Sequence, residues 1–364
     1  MKTKIIALAA ALCLLVGCSN SKGEYYTESV HKERDNAELQ SVNTSDIAGY
    51  YTLKGAMLNM VNMGVTEDVL RIGSYNGDLE ADLKSIIQEI TTEEPMGIYC
   101  VLSISVDQTR VLMYQELTVT IQYKKTPEEI RSVVPVSGEY ELHNRLISML
   151  SEFSQKGVFA VQDGAGSSNS IEQDIYSLWM QCGEKAMGLD KIEVNYYPEQ
   201  SENCILEMAL WYGSSAETLE KRSSLVKETA EKICSESTDA SESVIPKFIY
   251  NYLSNHVLYD NSAQRVVNET KAQQPKTVGY TAYGALINHE AAQSGFVLAA
   301  SVMCDCLGVE HTVETGKVGE DIYSWISLEL DGQSYIFDVT AGQNGRKNYL
   351  VPIKDAEGIY SIWE

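Results

Sequence analysis

Two stretches near the C-terminus carry the residue types of nucleophilic chemistry. NHEAAQSGFVLAASVMCDCLGVEH (Asn288–His311) runs from a polar start into a helix of small residues holding Cys304 and Cys306, with His289 and His311 at its flanks. DIYSWISLELDGQSYIFDVT (Asp321–Thr340) follows and ends on Asp338. A cysteine that attacks carbonyls needs a thiolate at a helix N-terminus, an imidazole to take its proton, and a group to orient the imidazole. The head of this helix is Gln293. Cys304 lies eleven residues on, about 16 Å away at about 1.5 Å per residue, on the Phe296–Ala300–Met303–Leu307 stripe. A packed thiol is expected there, and Cys306, one step before Leu307, is expected partly exposed with nothing to activate it. Ser294 stands at the helix head but lacks a histidine partner, and His289 and His311 read as ordinary loop and strand residues.

The second stretch is a hairpin. Asp331-Gly332 between two alternating runs predicts a two-residue type I′ turn, which pairs Leu330 with Gln333. That register puts Trp325 opposite Asp338. It also puts Tyr323 on the same face, diagonal to Asp338 and within reach of a long side chain. The Tyr323 hydroxyl is therefore expected to donate to Asp338.

From about residue 245 to 345 the chain resembles the transglutaminase-like superfamily, a papain-like cysteine-nucleophile fold. The resemblance is carried by Tyr259-Asp260 after an amphipathic helix, AYGAL, Gly295-Phe296 in the helix, LGV after it, WISLELDGQSY, and Asp338-Val339-Thr340. Active members of that family carry Cys-x-Gly-aromatic, His-x-Trp and Asp-x-Thr. The resemblance implies that Gln293 stands at the Cys position, Tyr323 at the His position, and Asp338 at the kept Asp position. A glutamine amide is no nucleophile, and a tyrosine with a pKa of about 10 is a poor base at neutral pH. Losing both groups of such a set leaves little catalysis.

No catalytic residue is expected, and the domain reads as a pseudoenzyme. The expected ligand cleft is Gln293, Ser294, Tyr323, Trp325 and Asp338, holding a peptide, an envelope protein or a cell-wall ligand. Two other readings stand beside it: a cysteine peptidase or acyl transferase with a relocated nucleophile, and binding through the N-terminal modules. No phosphate loop, histidine cluster or zinc spacing occurs, so no cofactor and no metal are expected.

The elements ahead of this domain look duplicated. DLEADLKSIIQEI, PMGIYCVLSISV, ELTVTIQY and TPEEI find counterparts in SIEQDIYSLWMQC, AMGLDKIEVNYY, ILEMALWY and SSAETL. Met96-Gly97 matches Met187-Gly188, and the Thr126 cap position matches Ser215. The expected fold class is α+β: two α-β-β-α modules at 48–161 and 162–236, then an α+β domain with an antiparallel sheet at 245–364. In the first module PMGIYCVLSISV is expected as a strand. A helix is expected at GEYELHNRLISMLSEF, between the copies. After Asp260 a polar loop is expected. The Ser/Glu/Asp-rich stretch 234–243 is the expected boundary. Tyrosine is abundant, 22 of 364 residues, which suits the modules for recognition as well as for a sheet core.

The start sets an address. MKTKIIALAAALCLLVGC has two lysines and an apolar run too short to span a bilayer, as in a secretory signal. Leu15-Val16-Gly17-Cys18 resembles the bacterial lipobox, which implies cleavage after residue 17 and lipid on Cys18. Residues 18–47 then form a lipidated tether. The protein is expected outside the cytoplasm, held to the bacterial membrane by that lipid. The chain carries a formal charge of −23, which becomes −25 once Lys2 and Lys4 are removed. That argues against a nucleic-acid partner and against adhesion to anionic lipid. Six cysteines remain after Cys18, dispersed and without metal spacing.

Overall fold

The computed structural model describes residues 47–162, 168–199, 201–237, 241, 244–270, 277–343, 345, 348–356 and 358–362; of 168–173 and 268–270 only the backbone is described. The signal-like segment, Cys18 and the expected tether up to residue 46 lie outside the described residues, as does part of the 234–243 stretch.

The first sheet is built from α1 (Tyr50–Met63), β1 (Glu67–Ile72), α2 (Leu79–Thr92), α3 (Pro95–Cys100), β2 (Val101–Val111), β3 (Tyr114–Tyr123) and α4 (Pro127–Arg131), with strand order β1-β3-β2, all antiparallel. Asp78 caps α2 by accepting the Glu80 and Ala81 amides, and Leu83, Ile86 and Ile90 form its buried stripe. Thr126 and Glu129 form a capping box on α4, with Pro127 at its first position.

The segment PMGIYC corrects the sequence expectation. It is helix, not strand, because Pro95 sits at a first helical position, where its missing amide costs nothing. Gly97 permits it: a Cβ there would stand 1.7 Å from the Ile90 carbonyl oxygen.

The second sheet takes β4 (Val134–Ser137), α5 (Gly138–Ser151), β5 (Lys156–Gln162), α6 (Ser168–Met180), β6 (Leu189–Tyr197), β7 (Cys204–Tyr212) and α7 (Ala216–Cys234). Its order is β4-β5-β7-β6, antiparallel except for the β4–β5 pair. The expected division at 161/162 therefore runs through the end of β5. The helix read as lying between the copies is α5, which belongs with the second sheet. Its buried Leu142, Leu146 and Leu150 pack into that sheet's core. From α1 to α4 the elements run α-β-α-α-β-β-α, and from α5 to α7 they run α-β-α-β-β-α.

The remainder is α8 (Ile245–His256), β8 (Leu258–Tyr259), α9 (Asn261–Thr270), β9 (Glu290–Ala291), α10 (Gln293–Leu307), β10 (His311–Val318), β11 (Asp321–Leu330), β12 (Gln333–Phe337), β13 (Leu350–Pro352) and β14 (Tyr360–Ile362). Its five-stranded antiparallel sheet has the order β13-β12-β11-β10-β14. The expected hairpin is present, with Leu330 paired to Gln333 and positive φ at both Asp331 and Gly332. On α8 the buried side is Ile245, Ile249 and Leu253, while Phe248 and Tyr252 are only half-buried. The polar loop expected after Asp260 is α9. The Asp260 carboxylate accepts the Ser262 and Ala263 amides and the Ser262 hydroxyl, which starts a helix there.

Two large cores result. One lies under the first sheet. The other runs without interruption from the second sheet into the C-terminal elements, and α10 is its axis, packed on α7, α8 and β11. The apolar core thus crosses the boundary expected at 234–243. Twelve consecutive residues of α10, Gln293–Cys304, are buried, which explains its small side chains.

Candidate functional site

At the head of α10 the described side chains are buried in contacts with one another. Gln293 is the first residue of the helix and is 4% exposed. Its side-chain amide donates to the Ser324 carbonyl, and its oxygen accepts the Ser324 amide at 3.3 Å. The glutamine thus stitches the helix head to the main chain of β11, beside Tyr323 and Trp325. The Gln293 amide, a free helix-terminal donor in an enzyme with an oxyanion hole, here donates to the Gln264 side chain of α9 at 3.2 Å. Ser294 is buried and donates to the Tyr280 carbonyl at 3.1 Å, while the Tyr280 hydroxyl donates to the Ala263 carbonyl at 2.7 Å.

A second tyrosine closes this face from a distance. The Tyr176 hydroxyl of α6 lies near Ser294 and Ser324, and burial pushes it up to about 12 against their lowering effect. The Tyr176 ring stacks on Trp179, centroids 5.7 Å apart. The helix that belongs with the second sheet therefore reaches the residues flanking Gln293 and Tyr323.

Tyr323, Trp325 and Asp338 occupy the other face of β11 and β12. Residues Ile326, Leu328 and Phe337 point into the main core, whereas Tyr323, Trp325 and Ile336 form a small separate cluster with Ala356. The Tyr323 hydroxyl donates to Asp338, 2.9 Å from Oδ1 and 3.2 Å from Oδ2. Thr340 adds its amide and hydroxyl to Oδ1, both at 3.1 Å, and Tyr360 of β14 donates to Oδ2 at 2.9 Å. Tyr360 also packs edge-on against Trp325, centroids 5.2 Å apart. Gly316 makes that lid possible: a Cβ there would meet the Ser361 carbonyl oxygen at 2.1 Å and the Trp325 ring at 2.9 Å. Asp338 and Thr340 are fully buried. Gln293 and Ser294 thus make their contacts on one face of the sheet, and Tyr323, Trp325 and Asp338 make theirs on the other.

No cysteine compensates. Cys304 is buried in the main core, three turns below Gln293. Cys306 is half-buried, and the Cys234 thiol donates to the Met303 carbonyl at 3.7 Å. Burial pushes all six described thiols up, Cys100 and Cys182 to about 11 and Cys234 to about 12, away from the thiolate form a nucleophile needs. His311 lies against Ser301 at 2.7 Å and the Val309 carbonyl at 3.1 Å, joining the C-terminal half of α10 to the start of β10. His289 is exposed at a positive φ of 56°. Among the described residues no cluster of His, Cys, Asp or Glu is placed to hold a metal ion.

The residues that sequence reading missed are those that do the closing: Tyr176, Gln264, Tyr280 and Tyr360. Only Gln264 had a usable signal, since Asp260 followed by Asn-Ser-Ala-Gln is a helix start. The approach of the helix head is also tight. A Cβ on Gly295 would stand 2.5 Å from the Gly279 carbonyl oxygen and 3.0 Å from that of Thr281. Gly295→Ala is therefore expected to lower stability by about 1–3 kcal/mol, measured as the shift in urea midpoint.

No protein-family model matches the chain, and no curated protein matches it. Among solved structures it is similar to a TGase, with 15% identity over 63% of each chain and a TM-score of 0.32. It is also similar to a protein described as a putative cysteine protease from Cytophaga hutchinsonii, with 15% identity over 48% of this chain and 71% of that one, and a TM-score of 0.26. The chain spans less than two thirds of the length of that TGase.

Proposed function

We propose that this protein is a lipid-anchored, extracytoplasmic binding or scaffolding protein whose C-terminal transglutaminase-like domain is non-catalytic. The observation that carries the reading is the filled row at the head of α10. Gln293 is engaged by the Ser324 main chain, Tyr323 by Asp338 and Thr340, and the Gln293 amide by Gln264. Substrate would have to displace these contacts, and nothing beyond them could attack it. Peptide, protein or cell-wall partners then fall to outer surfaces rather than to this row. The similar element order around the two N-terminal sheets supports their origin by duplication. The Leu-Val-Gly-Cys sequence supports the anchor on Cys18.

A thiol-reactive probe tests the reading against a relocated nucleophile. The native protein is expected to label slowly and without a pH step near neutrality, and all six cysteines to label fast only in denaturant. Rapid, pH-dependent labelling of Cys304 or Cys306 in the folded chain would overturn it.

A further inference from the structure

We propose that the tip of the β2–β3 hairpin is a bilayer-contacting surface that seats the anchored protein on phospholipid; the inference rests on the reading of Cys18 as a lipid anchor. Val111 pairs with Tyr114, so Leu112 and Met113 form a two-residue connection. They are 89% and 90% exposed and neither belongs to the core beneath the sheet. Such connections favour Asn, Asp or Gly, because they place residues at positive φ. Leu112 sits there at φ 34°. A strained leucine with its side chain in water does nothing for the fold, and strain of this kind concentrates where it serves contact with something else.

The surroundings of the tip have interfacial chemistry. Arg110 directly precedes Val111 on an exposed strand position. Arg71 of β1 lies over the Tyr114 ring, 5.8 Å from its centroid, and 3.2 Å from Glu116. Two apolar side chains flanked by guanidiniums and a tyrosine match the boundary of a phospholipid layer: the apolar ends enter the acyl region, and the arginines and tyrosine stay at headgroup level. In a chain of net charge −23 most of the surface has no such attraction to phosphate.

The position of the tip favours lipid over a protein partner. Ile72 pairs with Gln115, so β1 ends beside the tip. The chain turns there, and the Asn76 amide donates to the Ala48 carbonyl at 2.9 Å. Ala48 therefore lies at the same end of the sheet as Leu112 and Met113. Tyr50 and Tyr51 follow at once, edge to face at 5.5 Å, with Tyr51 86% exposed. An anchor on Cys18 keeps the chain beside a bilayer.

The full chain, purified with its own N-terminus, is reconstituted in vesicles of phosphatidylcholine and phosphatidylglycerol. An environment-sensitive fluorophore is placed by Met113→Cys or by Leu102→Cys and compared with the unsubstituted chain. Leu102 is 65% exposed at the far end of β2, about 30 Å from the tip at about 3.3 Å per residue. The fluorophore at 113 is expected to brighten several-fold and to be quenched by lipids brominated in their acyl chains; the one at 102 stays in water. The mass of the N-terminal peptide reads the anchor separately. An acylated Cys18 with position 113 as wet as position 102 overturns the tip while leaving the anchor. Protection of 113 only when membrane proteins are added also overturns it, in favour of protein docking. An unacylated N-terminus removes the anchor, and the seating proposal with it.

Discussion

Asp338→Ala is expected to lower the stability of the C-terminal sheet by about 3–5 kcal/mol, the range for removing one partner of a buried charged network. Asp338 has no exposed surface and accepts from Tyr323, from Thr340 twice and from Tyr360. Taking the carboxylate away removes the acceptor these donors share, and a buried donor left unsatisfied costs about 1–3 kcal/mol. The Tyr323–Thr340 hydroxyl contact survives at 2.6 Å and keeps the loss below the full sum. Tyr360 loses its acceptor, so β14, which holds β10 through only three residue pairs, is expected to loosen with it. Urea unfolding followed by Trp325 emission reads the effect, because that ring packs on Tyr360. Tyr323→Phe is expected to cost less, about 1–2 kcal/mol, since Asp338 keeps its Thr340 and Tyr360 donors. The size of the Asp338 effect separates two uses of the same residue. A carboxylate kept for chemistry is often replaced with little loss, or even a gain, in stability; one kept to seal a buried row is not. An Asp338→Ala chain as stable as the parent would mean that the row is not what holds β14 down.

How far the sequence reveals this depends on the range over which each contact acts. The Tyr323–Asp338 bond was legible because a two-residue Asp-Gly turn fixes register, and register fixes which side chains share a face. Gln293 at the helix head was legible from the small-residue run that follows it. Pro95 was misread because its strand-like neighbours Ile98-Tyr99-Cys100-Val101 outweighed the helix-start signal of the proline itself. Helix α9 was missed because its sequence is polar on most sides, and only the Asp260 cap marks it. Tyr176 carried no signal at all. It sits 118 residues before Ser294 in the chain, and only the packing of α6 on the C-terminal sheet brings it there. Sequence could therefore say that the thiol and imidazole were absent, but not that other side chains had filled their places.

That distinction predicts what happens when the thiol is put back. Gln293→Cys places a cysteine at a helix N-terminus, where the dipole favours the thiolate. It is nonetheless expected to react with a soluble thiol probe at least about a hundredfold more slowly than an exposed cysteine. The probe must wait for a local opening, and each 1.4 kcal/mol of opening free energy is a factor of about ten in the reactive population. Ser324 also loses both bonds to the Gln293 side chain, so about 2–4 kcal/mol of stability is expected to go. Adding Tyr323→His supplies an imidazole on the face that holds Asp338, while the cysteine remains behind Tyr176, so the pair still yields no acyl transfer. Tyr176→Ala is the change that matters. It removes the ring packed beside Ser294 and Ser324, is expected to open the helix head to solvent, and is expected to raise labelling of the introduced cysteine by about two orders of magnitude while circular dichroism stays native. Peptide mass spectrometry assigns the label to position 293 against the six native cysteines. Fast labelling of Gln293→Cys with Tyr176 still in place would mean that the head of α10 is open in solution and that a ligand could reach it. Slow labelling relieved only by Tyr176→Ala would make one tyrosine of α6 the seal on the head of α10.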